Sequence, residues 1–329
     1  MHILITGAAG MIGRKLTARL LAGGALHGRA IEKFTLHDVV PFPEMPGRGS
    51  GPAIATATSD LAAPGEAAKL IAQRPDTIFH LAGVVSGEAE LDFDKGYHVN
   101  LEGMQALLAA IRAAGDGYHP KLVFSSSIAV YGAPFPPAIP DEFHLTPLTS
   151  YGTQKAVCEL LLADHHRRGF LDGVGIRLPT ICVRPGKPNK AASGFFSGII
   201  REPLAGEEAV LPVAETVRHT HASPRAAVGF LIHAAGLTRE KLGPRINLAM
   251  PGVCCTVAEQ IESLRRVAGD KVAARIRRAP DELIMHIVGG WAERLETRRA
   301  TALGFKAEGS FDEIVRAHID DELGGKVAA

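Results

Sequence analysis

An apolar strand, His2-Ile3-Leu4-Ile5-Thr6, runs straight into Gly7-Ala8-Ala9-Gly10-Met11-Ile12-Gly13 and then into a helical pattern, and nothing else in the chain constrains its fold as strongly. A strand feeding a Gly-rich turn and a helix opens a βαβ unit whose first helix turns unpaired backbone N–H groups and a positive dipole end toward an anion. Each glycine has its own task. Gly7 allows the tight turn, Gly10 lets a pyrophosphate approach the backbone, and Gly13 lets the helix pack close to the strand. Met11 and Ile12 open the helix and belong to the same cradle. The spacing is G-x-x-G-x-x-G, with the middle glycine displaced by one from the commoner pattern. The alternative is an ordinary Gly-rich turn, but the strand before and the helix after favour a dinucleotide.

The second strand, Phe34-Thr35-Leu36-His37-Asp38, ends on a carboxylate. A carboxylate there can accept both ribose hydroxyls of NAD and would repel the 2′-phosphate of NADP. Val39 and Val40 supply no compensating cation, so NAD is the expected cofactor. Asp60-Leu61 after the third strand and Leu81-Ala82-Gly83 after the fourth are further candidates for cofactor contact. Asp60 reads equally well as a cap for the segment starting near Pro64.

Alternating β-branched runs and longer helical patterns fill the first half of the chain. Strands are expected at 2–6, 34–38, 53–57, 76–81, 121–126 and 174–178, with another near 245–249, and helices at 12–22, 64–73, 94–114 and 150–168. This predicts an α/β fold, a Rossmann-type doubly wound parallel sheet with right-handed crossovers. Met104, Leu107, Leu108 and Ile111 share one helix face, as do Val157, Leu160 and Leu161; most of this is expected to be core, with a leftover apolar face available for a subunit contact. After residue 180 Pro- and Gly-rich loops alternate with shorter helices at about 223–236, 256–268, 281–287, 292–303 and 310–321. Residues 1–180, with parts of 219–250, are therefore expected to form the NAD-binding domain, and 181–218 with 251–329 a smaller, mixed substrate-binding lobe.

The chain carries 36 basic and 35 acidic residues among 329, so no global field directs it to nucleic acid or an acidic membrane. Residues 265–278 are locally basic, readable as a polyanion patch or as a solvated helix face, and no nucleic-acid motif accompanies them. Cys158, Cys182, Cys254 and Cys255 fit no metal spacing or disulfide framework, so no metal is expected and the thiols should be reduced. No secretion signal precedes the first strand and no apolar run is long enough to span a membrane, which points to the cytoplasm and a small-molecule partner.

The chemical groups come next. Ser125-Ser126-Ser127 ends the strand at 121–126, and Tyr151-Gly152-Thr153-Gln154-Lys155 begins a helix. The i, i+4 spacing sets Tyr151 and Lys155 on one face, where the ammonium can draw the phenol below its usual pKa near 10 and make it a general base. A serine hydroxyl opposite can orient the substrate oxygen.

Taken in order, Thr6 to Gly13, His80 to Gly83, Asn100 to Gly103, Ser125 to Gly132 and Tyr151 to Lys155 resemble the extended short-chain dehydrogenase/reductase superfamily, of the NAD-dependent epimerase/dehydratase type, over essentially the whole chain. The resemblance implies Ser127, Tyr151, Lys155 and Asn100 as the catalytic set, Asn100 and Pro179-Thr180 as cofactor-side residues, and a homodimer formed through helices 94–114 and 150–168. Within the superfamily, His80 to Glu90, Arg177 to Gly186, Arg218 to His221 and Ser223 to Ala226 look most like the D-erythronate dehydrogenases, which implies oxidation of the C2 hydroxyl of a small sugar acid. Its carboxylate needs a cation. Arg184, Lys187, Lys190 and Arg218 are candidates, with Ser86 and Ser126 as hydroxyl partners beside Ser127 and Tyr151; each of the first six also reads as a solvated loop charge or a hydrogen-bonded turn residue, and His219 and His221 as either core or substrate-facing. Two rivals stand beside this reading. A nucleotide-sugar epimerase would use the same Tyr, Lys and tightly held NAD, while a non-catalytic NAD-sensing protein would usually lack the Tyr or the Lys. A dehydratase is disfavoured, because Ile128 and Ala129 follow Ser127 where that group carries acids.

Overall fold

The computed structural model describes residues 1–43, 51–115, 117–186 and 192–328. Lys187 and Lys190 lie outside them. Two compact units divide the backbone: Met1–Val130 with Thr149–Arg177 and Val228–Leu248, and Tyr131–Leu148 with Leu178–Ala227 and Ala249–Ala329.

The first unit is built on a seven-stranded sheet. Its strands are β1 (His2–Thr6), β2 (Lys33–Asp38), β3 (Ala53–Thr58), β4 (Thr77–His80), β5 (Lys121–Ser127) and β6 (Asp172–Leu178), completed by Asn247–Ala249. Their spatial order is β3-β2-β1-β4-β5-β6 and then Asn247–Ala249. The pairs from β3 to β5 are parallel. Chain order reverses between β1 and β4, which opens a crevice beyond the carboxyl ends of those strands. Ile3, Leu4, Ile5, Phe34, Ile78 and Phe79 are buried, as two helix-covered faces require.

Helix α1 (Met11–Gly23) stops where Gly24 adopts a left-handed conformation, φ 64°. Helices α2 (Glu66–Ile71), α3 (Ser86–Leu91), α4 (Phe93–Gly96), α5 (Gly103–Ala113) and α6 (Ser150–Arg167) follow. The single helix expected over 94–114 is interrupted by a π-helical segment, Tyr97–Glu102. Its stripe of Met104, Leu107, Leu108 and Ile111 is buried as expected. The stripe on α6 is not core: Leu160 is 65% exposed, and Val157 and Leu161 are half-buried. The buried face of α6 is polar instead, with Gln154, Lys155, Cys158 and Glu159 turned inward. Periodicity marked the apolar face, whereas Lys155 and Glu159 find partners on the sheet and Gln154 and Cys158 on Asn100 of the π segment.

The second unit contains a three-stranded sheet in which Arg218–Ala222 runs antiparallel to Val253–Thr256 and parallel to Thr180–Ile181. Its apolar core joins Phe196, Ile199 and Ile200 of α7 (Gly194–Leu204) to Ile261 and Leu264 of a helix over Val257–Ala268 and to Ile314 of one over Phe311–Leu323. A capping box of Thr256 and Glu259 starts the second of these helices. The helix expected at 292–303 is confined to Arg298–Ala302. Upstream of it, the backbone of Arg294 and Glu296 bonds to Ile139, so a tertiary ladder replaces the first helical turns. Segment Tyr131–Leu148 thereby belongs with the second unit, a placement no local pattern signals. The basic stretch is largely neutralised in place: Arg265 pairs with Glu262 and Asp270, Arg266 with Asp312, Arg277 with Glu208 and Arg278 with Glu215. No helix among the described residues is long and apolar enough to cross a membrane.

Candidate active site

The candidate cofactor cradle is assembled at the carboxyl ends of β1, β2 and β4. Gly7 has φ +73°, and a Cβ there would lie 2.5 Å from the backbone nitrogen of Ala82 and 2.6 Å from the carbonyl carbon of Leu81. No side chain fits between these turns. A Cβ on Gly13 would meet the Gly7 oxygen at 2.3 Å, so helix and strand are packed as closely as backbone allows. Gly10, by contrast, is exposed and would meet only the Gly7 oxygen, at 3.3 Å. At the N-terminus of α1 no side chain caps the helix and no acid sits in its first turn, leaving its N–H groups for an anion. Met11 and Ile12 are half-buried beside it.

At the end of β2 the Asp38 carboxylate accepts from the Ala9 N–H at 2.9 Å and the Val39 N–H at 2.7 Å. Those bonds hold it beside the glycine turn with lone pairs to spare for vicinal hydroxyls. Asp60 both caps its own turn, accepting from Ala62, and meets His98 at 2.7 Å, while the other His98 nitrogen lies 2.6 Å from Glu102. Asp60 and Glu102 raise the His98 pKa above its ordinary value. Leu61 is buried under this turn. These features fit an NAD: an open helix end for the pyrophosphate, and a fixed carboxylate for the adenosine ribose.

The candidate chemical groups sit on the neighbouring ends. Thr149 caps α6 through the Gly152 N–H, placing Tyr151 and Lys155 in its first turns. Lys155 is buried; its Nζ donates to the Ser125 carbonyl at 3.0 Å and lies 5.7 Å from the centre of the Tyr151 ring. Tyr151 and Ser127 are half-buried, and the Ser127 oxygen accepts from the Ala129 N–H at 3.1 Å. Burial and the Lys155 charge push the His80 imidazole down to about 3, so it is neutral, joined to the Thr6 hydroxyl at 2.7 Å.

Other candidates have partners of a different kind. Ser126 is buried and its hydroxyl donates to Glu159 at 2.5 Å, where Arg177 forms an ion pair with the same carboxylate at 2.7 Å. Ser86 is half-buried at the start of α3. In the second unit Pro179 is buried, and the Thr180 hydroxyl meets His219 at 2.8 Å. Arg184 bonds to the Ile181 carbonyl and the Ser193 hydroxyl. Arg218 is exposed and 3.6 Å from Glu259. His219 stacks on Phe196 and His221 meets Gln260; burial lowers both pKa values, His219 to about 4. Both histidines are core.

Three structural features were not anticipated from the sequence. The π segment carries Asn100, whose Oδ1 accepts from the Val84 N–H at 2.9 Å and whose Nδ2 donates to Gln154 at 2.7 Å. Gln154 and the Glu159–Arg177 pair are the other two. Glu159, one turn beyond Lys155, was the only available hint, since a polar series at i, i+4 spacing faces one side.

Known proteins place this architecture. The model of the "NAD dependent epimerase/dehydratase family" matches residues 3–222. D-erythronate dehydrogenase of Cupriavidus necator is 47% identical over 325 residues, covering 98% of each chain. The enzyme of the same name from Haemophilus influenzae is 40% identical, over 98% of this chain and 100% of that one. A crystal structure described as the nucleoside-diphosphate-sugar epimerase from Agrobacterium tumefaciens has a TM-score of 0.96 and 65% identity, covering 100% of this chain and 96% of that one.

Proposed function

From the premise that this chain belongs to the NAD dependent epimerase/dehydratase family and is an NAD-dependent dehydrogenase, we propose that it oxidises the C2 hydroxyl of a small sugar acid, D-erythronate, to the 2-keto acid. Two relatives carrying that enzyme's name over 98% of this chain support the substrate. The observation that carries the chemistry is Lys155, buried, bonded to the strand end beside Ser127 and 5.7 Å from the Tyr151 ring.

Bound NAD supplies the hydride acceptor. Tyr151 takes the proton of the C2 hydroxyl as the carbonyl forms, so the alcohol loses one proton and one hydride. Lys155 provides the positive charge against which the phenolate stands and holds the ribose. Ser127 holds the reacting oxygen, and Asn100 keeps the cofactor-side turn in place. Gly7, Gly10, Met11, Ile12, Gly13, Asp38, Asp60, Leu61, Leu81, Ala82 and Gly83 form the cradle, with Pro179 and Thr180 on the nicotinamide side. Arg184 and Arg218 are the candidate partners of the substrate carboxylate, and Ser86 a hydroxyl partner. Ser126 is a further candidate hydroxyl partner, although its hydroxyl is buried and donates to Glu159. The first unit is the cofactor domain and the second the substrate lobe. The outward apolar face of α6, Val157, Leu160 and Leu161, supports a homodimer through 94–114 and 150–168.

The name of the Agrobacterium structure favours a second reading, epimerisation, in which the same oxidation is followed by return of the hydride to the keto sugar. NADH absorbance with a panel of four- to six-carbon sugar acids, including both enantiomers of erythronate and threonate, separates the two. We expect rapid NADH formation with D-erythronate. Firmly retained NAD together with no turnover of any sugar acid would replace this reading with the epimerase.

A further inference from the structure

We propose that Gln154 is a positioning residue: its amide fixes Asn100 and, through Asn100, the Gly83–Val84 turn beside the cofactor cradle. Gln154 lies on α6 between Tyr151 and Lys155, rotated about 100° from the lysine by the helical step. It is fully buried. Its Oε1 accepts from Asn100 Nδ2 at 2.7 Å. Because that oxygen can only accept, Asn100 must present its NH2 to it and its own Oδ1 to the Val84 N–H, at 2.9 Å. The other Nδ2 proton reaches the Val84 carbonyl at 3.3 Å.

The turn has little room to move independently. A Cβ on Gly83 would lie 2.8 Å from Asn100 Oδ1 and 3.6 Å from Lys155 Nζ, and the two residues before it are the backbone pressed against Gly7. A shift of Asn100 therefore passes to the turn and on to the glycine loop.

Stability does not explain an amide here. Gln154 Nε2 has no hydrogen-bond partner among the described residues and abuts the site of a Cβ on Gly96, at 2.7 Å. A buried amide with unmet donors holds little advantage over an apolar side chain of similar size. What such a side chain would remove is the acceptor for Asn100.

Gln154→Leu tests this. We expect the NAD dissociation constant, measured by calorimetric titration without any sugar acid, to rise about tenfold, the worth of one buried hydrogen bond. The melting temperature should stay within about 3 °C of the parent, and KM for NAD should rise while kcat at saturating NAD changes less than about threefold. Asn100→Ala should weaken NAD binding, and adding Gln154→Leu to it should cost less than about twofold more, because the two act in series. An unchanged dissociation constant in Gln154→Leu, or effects that multiply in the double variant, overturns the proposal. So does a loss of affinity that simply follows a fallen melting temperature. Gln154→Met, which keeps the side-chain length, replaces Gln154→Leu if that protein does not fold. The proposal rests on the cradle and on Asn100, not on the sugar acid, so a wrong substrate leaves the binding result standing.

Discussion

Buried histidines and hydroxyls occur in both units, yet they lead to different places. In the second unit His219 and His221 are enclosed by Phe196, Trp291 and Phe311 and bonded to Thr180 and Gln260. In the first, His80, Thr6, Ser125, Asn100 and Lys155 form bonds that end at strand tips, beside residues that stay half-open: Asp38, Ser127 and Tyr151. A polar cluster enclosed by aromatic rings and shut off from solvent is part of a core. One anchored at the carboxyl end of a parallel sheet, with its last members still open, is the candidate site.

Acid is the strongest challenge to that contrast, because it should treat both clusters alike. His80 and His219 have folded pKa values lowered to about 3 and about 4. The unfolded chain binds protons first, near 6.5, so their contribution to stability is fully present above about pH 6.5 and is lost as pH falls toward those folded values. Each is worth on the order of 3–5 kcal/mol over that range. Urea midpoints should fall steeply between pH 7 and 4.5; a flat profile would mean that these histidines are charged or solvated in the native state.

Tyr151→Phe should separate the open cluster from the closed one. We expect kcat to drop by about 10²–10⁴ with little change in NAD affinity or melting temperature, as befits a general base. Retained turnover removes Tyr151 from the chemistry. Asp38→Ala should weaken NAD by about 10–100-fold, the range for a lost charge-assisted bond, with a smaller loss for NADP. Equal losses for both cofactors would show that the carboxylate does not discriminate them.

The smallest effect belongs to an exposed arginine of the second unit. Arg218 is 41% exposed and its nearest acid, Glu259, is 3.6 Å away. Arg218→Ala should leave stability within about 0.5 kcal/mol. If it binds the substrate carboxylate, KM for the sugar acid rises with kcat preserved; an unchanged KM passes the role to Arg184, Lys187 or Lys190.

Much of the fold was legible in advance, and for identifiable reasons. The strands at 2–6, 33–38 and 121–127 match their expected positions within a residue or so, because a parallel sheet covered on both faces demands continuous apolar runs. The misreadings occurred where tertiary contacts overrode local pattern. Ile139 took the backbone that the 292–298 pattern would have made helical, and the apolar stripe of α6 faces outward while its polar side is buried.

Local sequence determined the pieces of this protein: the glycine turn, the carboxylate closing the second strand, and the tyrosine and lysine one helical turn apart, each a matter of residue type and short spacing. Only the tertiary structure decided which buried polar groups meet one another. It brought Gln154 to Asn100 across 54 positions and Glu159 to Ser126 across 33, and it sealed His219 and His221 inside a core. The physical reason is that a polar side chain's role depends on what meets it after burial, and such partners come from strands and helices far apart in the chain.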